Sequence, residues 1–218
     1  MKRRWMAAIA ASILLVAAGP TARAEAAKEA AKPDNTFANK FYATDVAQQK
    51  KTFACFVREY DAAHLAKHPQ QKVAAMKLLV TAEAMPEDES LNHSFTLGLK
   101  FRNKPGDFRS GGHCGHAKAS ESENGKEHFG CSVDCDGGGI EVELSADAKS
   151  TIVRVGSVVI WDNKKPDEEE RQHLNGGADD RVFRLDRAPL EMCKSLVNDR
   201  DELVALRKQA TKQVTAAR

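Results

Sequence analysis

The chain has 218 residues, 42% hydrophobic and 29% charged, with five cysteines and a formal net charge of +2. That length fits one domain with room to bury a sizeable core. The positive balance belongs to the start of the chain: losing the four charges of Lys2, Arg3, Arg4 and Arg23 turns +2 into −2. Nothing then favours nucleic acid or an anionic membrane surface as partner.

Residues 1–24 read as a secretory signal peptide. They have a basic start, an apolar run from about Met6 to Ala18, a Gly19-Pro20 break and small residues at Ala22 and Ala24, with cleavage expected after Ala24. The apolar run is shorter than the ~20 residues a membrane-spanning helix needs. Arg3-Arg4 hints at twin-arginine export. In an oxidising compartment, five cysteines read as a disulfide framework with one left over. Residues 25–40 open with EAAKEAAK and a proline, the composition of a helical spacer without a site. A single β-rich domain is expected over 41–218.

From Val46 to His68 the pattern is helical, interrupted by β-friendly residues around Phe53, Phe56 and Tyr60. Asp61, His64 and His68 share one face at this spacing, which zinc can use. No Glu adjoins His64, so the metalloprotease pattern fails. The simpler reading is a short helix ending at Pro69, with Asp61 near its start and His68 near its negative end.

Beyond Gln71 the period changes to two. KVAAMKLLVTAE and LNHSFTLGLKFRN read as strands, with Phe95, Leu97, Leu99 and Phe101 on one face of the second. Ile140–Leu144 alternates again. Thr151–Val155 and Val158–Trp161 form either a hairpin or one long strand, split at Gly156-Ser157. Lys164–Asp180 is polar and loop-like. Phe183 and Leu185 mark one more strand, and Leu190, Cys193, Leu196, Val197, Leu203 and Val204 recur at helical spacing. The last residues, KQATKQVTAAR, lose that stripe and are expected to fray or stand in solvent. Seven or eight short strands from Gln71 to Leu185, with no long helix between them, predict an antiparallel meander closed as a small barrel or sandwich. An N-terminal helical segment and a C-terminal helix from about 188 flank it.

Three cysteines and three histidines crowd Gly111–Gly139, GGHCGHAKASESENGKEHFGCSVDCDGGG. A two-residue turn at Asn124-Gly125 sets Cys114 opposite Cys135. A longer loop over 120–125 sets it opposite Cys131. Either arrangement closes the hairpin with a bridge. Cys131 and Cys135 stand roughly 13 Å apart along a strand, so their partners differ. Cys193, facing the sheet from the last helix, is expected to take the other, leaving Cys55 free. The competing choice pairs Cys55 with Cys193 and frees a hairpin thiol.

The alternative to bridges is metal: His113, Cys114, His116, His128, Cys131 and Cys135 are ligands that zinc or copper accepts. Their spacing matches no standard finger, and His113 and His116 project to opposite faces of a strand. Asp134 and Asp136 resemble part of a calcium loop, but the third oxygen ligand and the closing Glu are not in register. Gly137–Gly139 fits a bulge or corner and no phosphate loop. No Gly-x-Ser-x-Gly elbow or Cys-x-x-Cys pair is present. Cys55 with His64 or His68 as base is the remaining enzyme reading, and a structural cysteine outweighs it.

Tyr60–Pro69 and Cys131-Ser-Val-Asp-Cys-Asp-Gly-Gly-Gly139 resemble segments of uncharacterised exported proteins of Gram-negative bacteria. The resemblance implies a periplasmic location and transfers no activity, cofactor or catalytic residue. The sequence therefore predicts a non-enzymatic periplasmic or secreted domain, disulfide-stapled and without cofactor, that binds an envelope protein or a small ligand. A periplasmic metal-binding protein is the alternative.

Overall fold

The computed structural model describes residues 34–85, 87, 90–164 and 171–216. The expected signal peptide, and residues 25–33 of the expected spacer, lie outside the described residues. Among the described residues, nine antiparallel strands form one sheet: β1 (Lys51–Glu59), β2 (Val73–Ala84), β3 (Leu91–Phe101), β4 (Phe108–Ala117), β5 (His128–Ser132), β6 (Gly138–Leu144), β7 (Ser150–Asp162), β8 (Gln172–Asn175) and β9 (Val182–Arg187). Their order is β6-β5-β4-β3-β2-β1-β9-β7-β8, and β7 also pairs with β6, so the sheet closes in a ring. Closure runs through the length of β7. This single strand of 13 residues pairs with β9 near its start, β6 along its middle, and β8 and then β4 near its end.

The meander follows from local rules. Consecutive strands β1 to β6 each pair with the next, and their alternating apolar residues point inward. Phe56, Leu97, Phe129, Val142, Val153 and Phe183 are among the residues that fill the ring. The helix α1 (Thr36–Tyr42) adds Phe37, Phe41 and Tyr42 to this core. Phe41 meets Phe129 at 4.8 Å and Phe56 at 5.4 Å, edge to face. Residues 36–40, expected as spacer, therefore belong to the packed domain; the aromatic spacing Phe37–Phe41 is a helix's inward stripe.

The stretch expected to be helical over Val46–His68 is corrected. It holds a 3-10 turn at Val46–Gln48, the strand β1, and a short helix α2 (Ala62–Lys67) whose first turn is capped by the Asp61 carboxylate on His64 N–H. The reason is burial on both faces. Ala54 and Phe56 point into the ring, while Phe53, Cys55 and Val57 point outward against Leu190, Cys193, Leu196 and Leu206. A strand covered twice shows a continuous apolar run, and its period of two disappears from the sequence.

The covering elements are a 3-10 segment over Leu190–Leu196 and α3 (Arg200–Ala216), in place of one helix from 188. Two side chains fasten them. Gln209 accepts from Phe53 N–H and donates to Phe53 C=O, both at 3.0 Å, so one amide satisfies both backbone groups of a β1 residue beyond the reach of β9. Arg109 donates to Asn198 Oδ1 at 2.8 Å and to Ser195 C=O. The helix continues to Ala216, and its last turns stand in solvent, the second of the two outcomes expected for the final residues. β8 is a further correction within a stretch expected as loop; its Leu174 is buried in the ring core.

Two disulfides staple the fold, Cys55–Cys193 and Cys114–Cys131, and Cys135 is free and exposed. The expected pairing of Cys193 with a hairpin cysteine is thus corrected, and the competing pairing is found. Cys55 faces the C-terminal segment from the outer side of β1, whereas Cys135 has left the strand: it and Asp136 adopt left-handed φ of 56° and 60° at the tip of the β5–β6 turn. The bridges enclose sequence separations of 138 and 17 residues. Loop-closure entropy assigns them roughly 5 and 3 kcal/mol. Replacing Cys55 and Cys193 together by Ala should therefore lower the unfolding free energy in urea by more than replacing Cys114 and Cys131 does.

Candidate functional site

The hairpin of β4 and β5 is built in the longer-loop register, with Cys114 opposite Cys131 and a Cα separation of 4.0 Å. Residues 118–127 make the connection, opening with a 3-10 turn at Ala119–Glu121. Period-two alternation then divides the hairpin. Cys114, His116, Phe129 and Cys131 share the inner face, and His113, Gly115, Ala117, His128, Gly130 and Ser132 share the outer one.

On the inner side, the hairpin meets α1. His116 stacks on Phe37 with ring centres 4.6 Å apart and bonds Glu127 at 2.9 Å. His93 of β3 lies opposite Cys114, packs 4.6 Å from the Phe129 ring, and is hydrogen-bonded through Nδ1 to Tyr42 Oη at 3.0 Å. Burial, helped by the neighbouring His116 charge, lowers the His93 pKa to about 4, so the ring is neutral at neutral pH. Burial also raises Tyr42 well above the ordinary phenol value. This polar pair inside an aromatic cluster fixes α1 against the sheet. Sequence reasoning missed His93, although it falls on the same alternation as Phe95, Leu97 and Leu99.

The outer face carries an open groove of about 950 Å³ across β5, β6 and β7. The connection from Glu121 to Asn124 stands at one side, and Arg181 and Val182 at the other. Gly130, Gly139 and Gly156 are among its lining residues, with Ser132, Glu141, Arg154 and Ser157 around them. Beside it, Glu143 accepts from Lys126 at 2.6 Å and Arg154 at 3.3 Å. Burial alone would raise its pKa; these hydrogen bonds prevail and hold it below the ordinary carboxylate value. Glu143 thus sits between two cations beside the groove, of which Arg154 also lines it.

The other residues singled out in the sequence are dispersed. The residues of the zinc or copper alternative are not brought together: Cys114 and Cys131 are bonded to each other, His116 lies on the opposite hairpin face from His113 and His128, and Cys135 lies on the turn. Among the described residues, no three His, Cys, Asp or Glu side chains gather where they could hold one ion. Cys55 is bridged and so cannot serve His64 as nucleophile. His64 stacks on His68 at 4.3 Å and bonds Gln71 Oε1 at 3.0 Å, while His68 is 3.6 Å from Asp179. With Asp61 occupied as a helix cap, this face carries the structural role expected of it.

His93 gives a pH prediction. Its folded pKa lies below the unfolded value of 6.5, so the unfolded chain binds its proton first as pH falls. The associated stability is fully present above pH 6.5 and is lost progressively towards pH 4, by about 3 kcal/mol. Denaturation in urea across that range should show this slope for the native chain and a shallower one for His93→Phe.

Compared with known proteins, no family model matches the chain, and no curated protein and no solved structure matches it.

Proposed function

We propose that the chain is a non-enzymatic exported domain of the cell envelope, periplasmic or secreted, that binds a protein or a small ligand on its outer surface. The observation that carries this reading is the Cys55–Cys193 bridge, buried on both sides and joining residues 138 apart. Such a staple forms and persists in an oxidising compartment. The signal-like first residues and the absence, among the described residues, of a helix long and apolar enough to cross a membrane are consistent with that location. Because Phe41, Tyr42, Phe56 and Phe129 fill the ring near α1, the reading assigns binding to the exterior, where the groove over β5–β7 supplies concave surface.

Two measurements on the full chain expressed in a Gram-negative host test the reading. Alkylation of the exported protein before reduction should label Cys135 alone; labelling of Cys55 or Cys193, or retention in the cytosol, overturns it. A photo-crosslinking side chain at Gly156 should give a discrete adduct in living cells, whereas the same group at exposed Thr215 should not. Equal behaviour at both positions would remove the groove from the proposal.

A further inference from the structure

The connection between β4 and β5 carries an Asn-Gly pair, Asn124-Gly125, and the chain has a second at Asn175-Gly176. In each, the asparagine amide carbon and the nitrogen of the next residue can close a five-membered ring, and glycine has no Cβ to obstruct the approach. The fold treats the two pairs oppositely.

Asn124 and Gly125 are both exposed. Asn124 Oδ1 accepts from Ser122 Oγ at 2.7 Å and from Lys126 N–H at 2.9 Å. When a nitrogen attacks the amide carbon, negative charge develops on this oxygen, where two donors already stand. Gly125 has a φ of 67°, and a Cβ built on it meets nothing within 4 Å, so its backbone has room to turn toward the side chain. Its N–H donates to Ser122 C=O at 3.0 Å, a bond within one exposed turn. At the other pair, Asn175 lies on β8 opposite Ser157 and accepts from Ser157 Oγ at 2.9 Å. There Gly176 N–H donates to Gly156 C=O at 2.8 Å, and a Cβ would strike the Val155 carbonyl. That nitrogen is held against β7, away from the rotation that ring closure needs.

We propose that Asn124 is a site of self-modification, at which the Gly125 nitrogen displaces the side-chain amide and converts the asparagine to aspartate and isoaspartate. The Gly125 N–H proton passes to solvent, the bond from Gly125 N to Asn124 Cγ forms, and the Cγ–Nδ2 bond breaks. The leaving NH2 group takes a proton from water and departs as ammonia, leaving a cyclic imide. Water then opens the ring at either carbonyl, with no change of oxidation state. The product adds a negative charge beside Glu121 and Glu123, which line the groove over β5–β7 together with Asn124. The isoaspartate form also lengthens the main chain at that rim, so the rim becomes more acidic as the molecule ages.

The full chain is held folded in mildly alkaline buffer, sampled over weeks, and digested for peptide mass spectrometry with fragmentation that separates aspartate from isoaspartate. Conversion should accumulate at position 124 while position 175 stays an amide, and in urea the two positions should convert at similar rates. Ser122→Ala removes one donor from Oδ1 and should slow conversion at 124 roughly three- to tenfold in the folded chain, the kinetic equivalent of one hydrogen bond, with no effect in urea. Asn124→Gln should leave the rim unmodified. Conversion at 175 as fast as at 124 in the folded chain, no conversion at 124, or an unchanged folded rate in Ser122→Ala overturns the proposal.

Discussion

Both faces of β1 are covered, and much of the domain depends on that strand. Its inward residues Ala54 and Phe56 join the ring core, and its outward residues Phe53, Cys55 and Val57 receive the C-terminal segment. Because β9 pairs with β1 only at Phe56 and Val57, the start of β1 would present unpaired backbone groups. Gln209 removes that liability at Phe53, as secondary structure would. The bridge to Cys193 then fixes the covering segment covalently, so a strand with few neighbours on one side becomes one of the best-anchored elements.

The cysteine hairpin divides its work between two faces. Its inner face is occupied by Cys114–Cys131, Phe129 and His116, packed with α1 and His93 into an aromatic and imidazole cluster. On that side the two sulfurs are bonded to each other and the rings are packed together. The outer face carries His113, Ala117, His128 and Ser132 beside Gly115 and Gly130, and their placement is set by strand register rather than by flexible loops. This separation lets the same ten residues of β4 and five of β5 act as core and as surface.

What could be read from the sequence follows the same physics. One-sided strands such as β3 and β6 announce themselves, because a solvated face leaves alternation in the chain. β1 does not, since burial on both sides erases it, and β8 does not, since its four residues contribute a single buried side chain, Leu174. The Cys114–Cys131 register was one of two that the turn residues allow, and the choice between them depends on a 3-10 turn at 119–121 that composition does not specify. Cys135 falls off the strand because it and Asp136, two consecutive non-glycine residues, adopt left-handed conformations, an uncommon choice. The glycines of the groove are plain in the sequence, but only the register puts Gly130, Glu141 and Arg154 in one row.

The two bridges are nested: Cys114 and Cys131 both lie between Cys55 and Cys193. Under the proposed export, amino end first, Cys55 would meet three unsuitable sulfurs ahead of its true partner. An oxidant acting on cysteines in order of arrival would join Cys55 to Cys114, a cross-link incompatible with β1 lying beyond β2 and β3 from β4. Correct maturation requires either that the β4–β5 hairpin closes first, removing two competitors by local folding, or that an isomerase undoes the early error. Cys135, free and exposed and four residues from Cys131, is the one cysteine that neither bridge consumes.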